Sequence, residues 1–121
     1  MPYIARQYEK QTVSVGTGQC VALVKYFSGA PAASLWHAGE KLTRDSVKTL
    51  ASGTVIATFV DGRYPNRLSG NHAAIFVRSV PGGIAIFDQW TSHSPSERKI
   101  FFGRAKGVNA AQRLELYAVV E

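Results

Sequence analysis

The chain has 121 residues, 45% hydrophobic and 18% charged, which is enough apolar material for one globular domain over residues 1–121 with a single core. Fourteen Lys and Arg against eight Asp and Glu give a formal net charge of +6, a surface that would draw towards a polyanion such as nucleic acid, a membrane face or an anionic cell wall. One cysteine excludes an internal disulfide, and no run approaches the ~18 apolar residues of a membrane span.

Met1 to Lys10 is polar and charged, without the apolar core of a secretory signal. The expectation is a chain made in the cytoplasm that, if it acts outside, leaves by a non-Sec route. Met1 to Val15 carries weak signals, with a short helix expected around Ala5 to Lys10. A flexible turn, Gly16-Thr17-Gly18, then leads into Gln19-Cys20. Val21 to Phe27 reads as a short buried helix, with Gly29 and Pro31 just past its end. Cys20 thereby falls at a helix N-terminus, where unpaired N–H groups and the positive dipole end favour a thiolate. A lone cysteine without such company is more often a small buried hydrophobe.

Ala32 to Leu50 mixes turns with the amphipathic stretch Ser34 to Leu42, and Asp45 to Leu50 can add a helical turn. Thr54 to Val60 is β-branched and apolar, opened by Gly53 and closed by Asp61-Gly62, and reads as a strand. Arg63 to Gly70 is a polar loop containing Pro65 and Asn66. His72 to Val80 is a second strand, Pro81-Gly82-Gly83 a turn and Ile84 to Trp90 a third strand, the clearest hairpin in the chain. Thr91 to Ser96 reads as a Ser-rich loop, Lys99 to Phe102 as a short strand and Leu114 to Val120 as the last strand. Arg98-Lys99 with Arg104 and Lys106 forms the densest basic patch, most simply a solvated face. A helix followed by antiparallel strands is α+β, with the cysteine-bearing helix packed on one face of the sheet.

A cysteine hydrolase needs a nucleophile, a base, a group orienting the base and donors for the oxyanion. Cys20 supplies the first, and His72, opening a buried strand after Gly70-Asn71, is the best base. The turn decides the orienting group. A three-residue loop pairs Val80 with Ile84 and puts Asp88 on the face of His72; a two-residue loop puts Gln89 there. Both can accept from an imidazole N–H, but only a carboxylate also stabilises the imidazolium, which favours Asp88. The Cys20 N–H is the expected oxyanion donor, with Gln19 a second candidate. His37 reads as a surface residue, and His93 lies close enough to line the site. One Cys and three His without ligand spacing make a poor metal centre, so neither metal nor cofactor is expected.

The segment Gly18-Gln19-Cys20 opening an apolar helix, Asn71-His72-Ala73-Ala74-Ile75-Phe76 on a strand and a polar residue closing the next strand resembles the CHAP and NlpC-type amidases. These are papain-like cysteine peptidases that cut the peptide stems of bacterial peptidoglycan, and the amidase effectors of type VI secretion share their architecture. Leu35 to Glu40, Ile56 to Phe59, Gly62-Arg63-Tyr64 and Phe87-Asp88-Gln89-Trp90 extend the likeness to small single-domain members. The resemblance implies Cys20 as nucleophile, His72 as base and Asp88 as third member of a Cys-His-Asp triad, acting on stem peptides. Arg63 and Tyr64 would then grip a substrate carboxylate, and Trp90 would wall the cleft. The chain carries Gly53-Thr54 where many relatives have Gly-Asp. No attached wall-binding domain is expected, which would suit an antibacterial effector delivered directly into a target cell, acting in its periplasm or wall and opposed by a cognate immunity protein. Two rivals stand beside this reading: a hydrolase, deamidase or acyltransferase acting on protein, and a silent basic binding module. For the favoured reading no nucleic-acid partner is expected.

Overall fold

In the computed structural model, which describes residues 2–65, 70–104 and 108–121, the apolar run after Cys20 forms helix α1 (Cys20–Ser28). Gly29 stops it in the left-handed region at φ 76°, its N–H donating to the Lys25 carbonyl at 2.9 Å, a conformation that costs a glycine little. Leu23 and Val24 are fully buried, each worth about 2 kcal/mol of apolar transfer. The strands are β1 (Ala38–Lys41), β2 (Val55–Thr58), β3 (Ala73–Val80), β4 (Gly83–Trp90), β5 (His93–Phe101) and β6 (Tyr117–Val120). They pair antiparallel in the order β1-β6-β2-β3-β4-β5. One helix and a six-stranded antiparallel sheet make the chain α+β.

Residues 55–57, 73–76 and 84–87 are apolar at successive positions because both faces of the sheet are buried there. Val55, Ala57, Ala73, Ile75 and Phe87 pack with Leu23 and Val24 of α1 and with Trp36. Ile56, Ala74, Phe76, Ile84 and Ile86 point the other way, onto Leu42, Val47, Leu114 and Tyr117. That second face is covered by short 3-10 turns at Ser46–Lys48 and Leu114–Leu116 rather than by a helix.

Several elements depart from the sequence reading. Ala5 to Lys10 is not helical. Ile4 bridges Thr54, Ala5 N–H donates to Gly53 O (2.7 Å) and Arg6 N–H to Phe27 O (3.1 Å), so tertiary partners hold the start of this backbone, which then turns at Gln7 (φ 59°) and at Glu9-Lys10, while Ala5 and Tyr8 join the core. The expected loop from Thr91 to Ser96 is mostly strand. β5 begins at His93 and passes through Pro95, tolerated because β5 is a sheet edge and needs no N–H on its outer side. The amphipathic stretch around Trp36 yields the other edge, β1. The last strand starts at Tyr117, its expected first residues forming a 3-10 turn. Asn66 of the expected loop and Lys106 of the basic patch lie outside the described residues.

The β3–β4 hairpin matters most for function. Val80 pairs with Gly83, so the turn holds only Pro81 and Gly82, the two-residue case. Carried unbroken along the ladder, that register would turn Gln89 towards the face of His72. A β-bulge intervenes between Phe76 and Arg78, where Val77 is the extra residue. Beyond it Phe76 pairs with Ile86 and Ile75 with Phe87. The one-residue shift reverses the alternation, returning Asp88 to the face of Ala74 and Phe76 and Gln89 to the face of α1.

Candidate active site

Three segments meet at one end of the sheet. The first is the start of α1. Gln19 is its N-cap residue, without a side-chain capping bond, and Cys20 is its first residue, half-buried. The Cys20 N–H belongs to the unpaired first turn and has no acceptor among the described residues. The second is the entry to β3, where His72, only 6% exposed, donates its backbone N–H to Thr58 Oγ1 at 3.0 Å. The third is the end of β4, which brings Asp88, fully buried.

His72 Nε2–H donates to Asp88 Oδ2 at 2.6 Å. With Nε2 so occupied, Nδ1 is the nitrogen left to engage the Cys20 thiol, whose ionisation the imidazole favours. Asp88 is held from its other side by Arg98 of β5, whose Nε donates to Oδ1 and Oδ2 at 3.1 and 2.9 Å and whose Nη2 reaches Oδ2 at 2.8 Å. The Arg98 guanidinium also lies over the Trp90 ring, 5.1 Å from its centroid.

These contacts decide the charge states. Burial is the largest influence on Cys20 and opposes ionisation, but the His72 imidazole, the Ala73 N–H and the Tyr64 hydroxyl together outweigh it and hold the thiol below its ordinary value. Burial likewise opposes a charged His72, yet its hydrogen bonds to Asp88 and Cys20 raise it to about 9. Asp88 would be pushed up by burial, and His72 and Arg98 bring it below the usual carboxylate range. At neutral pH His72 is an imidazolium and Asp88 a carboxylate with a guanidinium behind it, a setting that favours the thiolate form of Cys20.

Tyr64 reaches the site through a tight turn. Asp61 and Gly62 both have positive φ (52° and 78°), and Val60 and Arg63 exchange backbone hydrogen bonds at 2.9 and 3.0 Å. The Tyr64 hydroxyl then lies 3.8 Å from Cys20 Sγ and accepts from Asn71 Nδ2 at 3.4 Å. Burial and the neighbouring thiolate raise its phenol above the ordinary range, so it stays a neutral donor.

An open cleft of about 720 Å³ lies over these groups, lined by Gln19, Cys20, Tyr64, Asn71, His72 and Trp90 with smaller residues between. Of the sequence candidates, Cys20, His72, Asp88, Tyr64, Trp90 and Gln19 thus converge. Three are placed elsewhere. Gln89 is not beside His72 but on the opposite sheet face, its carboxamide bound to the backbone of Val15 and Gln19. Arg63 turns away from the cleft, its Nη1 donating to Trp36 O at 3.4 Å and meeting His37 Nε2 at 3.2 Å. His93 opens β5 and stacks on Trp90 at 4.1 Å without lining the cleft. Sequence reasoning missed Arg98, which it counted as a surface cation; only the β4–β5 register, pairing Ile86 with Arg98, turns it inward. No cluster of three metal-ligating side chains occurs among the described residues.

Comparisons with known proteins agree on one group. The family model described as domesticated amidase effector 2 matches residues 4–119. A type VI secretion amidase effector 2 protein of Salmonella typhi is 44% identical over 93 residues, which are 74% of this chain and 68% of that protein. A domesticated amidase effector 2 of Ixodes scapularis is 32% identical over 94 residues, 75% of this chain and 63% of that protein. A solved structure of a type 6 secretion amidase effector 2 is similar at a TM-score of 0.83 with 36% identity, covering 98% of this chain and 94% of that one.

Proposed function

The chain belongs to the domesticated amidase effector 2 family, and on that premise we propose that it is a cysteine amidase that hydrolyses amide bonds in peptidoglycan stem peptides through Cys20, His72 and Asp88. The observation that carries the reading is that Cys20 and His72 line one open cleft, with Asp88 bound behind the imidazole at 2.6 Å. The Cys20 thiolate attacks the amide carbonyl and a C–S bond forms. The oxyanion is met by the Cys20 N–H at the start of α1, a donor worth about 3 kcal/mol. The His72 imidazolium protonates the leaving amine as the C–N bond breaks. The neutral imidazole then takes a proton from water, which cleaves the thioester to a carboxylate and returns the thiolate. Asp88 fixes the ring and stabilises its charged form, without itself taking the proton.

Delivery by the type VI machine into a target cell's periplasm follows from the family and is part of the proposal, as is a cognate immunity protein in the producing cell. The test is incubation of the purified protein with peptidoglycan sacculi, the soluble products read by mass spectrometry, with Cys20→Ala alongside. Muropeptide fragments from the wild type alone are expected, and their masses identify the bond. Equal release by both proteins would remove Cys20 from the mechanism. No release, together with rapid alkylation of Cys20 by iodoacetamide near neutral pH, would keep the nucleophile and discard the substrate.

A further inference from the structure

Gln89 is as buried as Asp88, yet no charged group meets it among the described residues. Its Oε1 accepts the Val15 N–H at 2.9 Å, and its Nε2 donates to both Val15 O and Gln19 O at 2.9 Å. Both amide hydrogens and one oxygen lone pair are therefore spent on main chain, far away in sequence. The residues gripped bracket the turn before the thiol. Val15 O also accepts the Gly18 N–H at 3.0 Å, closing that turn on itself, and Gly16 and Gly18 hold φ of 57° and 85° that other residues resist. Gln19 O accepts the Ala22 N–H at 3.1 Å, the first bond of α1. Val15 packs into the core against the sheet, but among the described residues Val15 to Gln19 make no backbone hydrogen bond to it, and α1 begins without a side-chain cap. Gln89 supplies the polar hold on the sheet.

We propose that Gln89 is a positioning residue for the nucleophile: its carboxamide locks Val15 to Gln19 onto β4 and so fixes Cys20 Sγ against His72. The chemistry of the site requires an amide. The segment presents one donor and two acceptors, a set that a carboxylate or an alkyl chain cannot match. The geometry also makes β4 the common reference for both reacting groups, since Asp88, the preceding residue, orients His72. The inference rests on Cys20 being the nucleophile of the proposed reaction.

Two variants test it. Gln89→Met keeps the volume and removes all three bonds; Gln89→Glu keeps the shape and the acceptor for the Val15 N–H but loses both donations. Folding is followed by circular dichroism, Cys20 reactivity by the rate of iodoacetamide alkylation against pH, and catalysis by kcat and KM on sacculus-derived peptides. A displacement near 1 Å at the reacting atoms typically costs on the order of 100-fold. The expected result is a folded variant whose kcat falls about that far with KM little changed, whose neutral-pH alkylation slows about tenfold and whose alkylation profile moves to higher pH. A merely structural Gln89 would lower stability and leave the alkylation profile of the folded protein unmoved. Wild-type alkylation and kcat in either folded variant overturn the proposal, and so does failure of both variants to fold. The alkylation readout needs no substrate. If the wild type cleaves no peptidoglycan but the variants still shift Cys20 reactivity, the substrate reading falls and the positioning role stands. If wild-type Cys20 reacts no faster than an ordinary free thiol, the nucleophile and this proposal fall together.

Discussion

Asp88 and Gln89 stand side by side on β4, equally buried and on opposite faces of the sheet. Asp88 looks into charge, with the His72 imidazole on one side and the Arg98 guanidinium on the other. Gln89 looks into neutral backbone, with every bond made to the chain ahead of α1. A buried carboxylate is tolerable only where cations and donors replace its water, whereas a buried carboxamide needs matched dipoles. The two environments divide one task. The charged face sets the protonation of the base, the neutral face sets the place of the nucleophile, and a single rigid strand holds both in register.

Asp88→Asn strikes the charged face hardest. The amide keeps the shape but cannot stabilise the imidazolium, and kcat is expected to fall about 10³- to 10⁴-fold. Arg98, whose side chain is only 20% exposed, loses its counter-charge, and urea denaturation should register a loss of roughly 3 kcal/mol. The Cys20 side should stay in place, so the pairing with Gln89 predicts different signatures: loss of imidazolium for Asp88→Asn, displacement of the thiol for Gln89→Met. A kcat within tenfold of wild type would erase the division.

The pH profile tests the same face without mutation. The productive thiolate–imidazolium pair exists between the depressed Cys20 value and the raised His72 value of about 9. Activity should therefore hold up to about pH 9 and fall about tenfold per pH unit above it as His72 loses its proton. Stability follows with definite signs. His72 is raised on folding, so its contribution is complete below its unfolded value of about 6.5 and is lost as pH rises through about 9. Asp88 is depressed, so its contribution is complete above about 4 and is lost as pH falls through its lowered value. An alkaline limb centred near 6.5 would mean that Asp88 and Cys20 do not raise His72.

Arg98→Lys should act more mildly. A lysine keeps the charge but not the forked donation to both carboxylate oxygens or the stack on Trp90. A fall in kcat of about tenfold is expected, equivalent to roughly 1.4 kcal/mol. With the fork gone, Asp88 is less depressed, so acid unfolding should begin at a higher pH than in the wild type. An unchanged acid midpoint would show that His72 alone keeps Asp88 ionised.

The same strand shows what could be read beforehand. Cys20 at a helix start was legible because an apolar run of helical length followed Gly-rich chain and met Gly29, signals confined to a dozen residues. The hairpin was legible from Pro81-Gly82-Gly83. Which face Asp88 would occupy was not, because two local features had to be known together. The turn is one residue shorter than the reading that favoured Asp88 required, and the bulge at Val77 restores the parity. No residue type announces a bulge in Phe76-Val77-Arg78. Arg98 was hidden for a related reason: Glu97, Arg98 and Lys99 read alike in sequence, and only pairing with β4 separates the inward one. Pro95 concealed the first part of β5, of which only the end was read as the strand Lys99 to Phe102, since only an edge position makes a proline compatible with a strand.

Arg63 gives the smallest predicted effect. It precedes Tyr64 in the turn after β2, and sequence reasoning paired the two as a grip for a substrate carboxylate. The turn separates them. Tyr64 enters the cleft and bonds at Cys20 Sγ, while Arg63, exposed, spends its guanidinium on the Trp36 carbonyl and the His37 ring. An exposed arginine bound to neutral partners contributes little, generally within about 0.5 kcal/mol. Arg63→Ala is therefore expected to change kcat/KM on stem peptides less than about twofold, with the alkylation profile of Cys20 untouched. A rise in KM of tenfold or more at unchanged kcat would show that Arg63 leaves His37 when substrate arrives. It would place a third contributor to the site on the loop after β2, outside the two-faced control that β4 exerts.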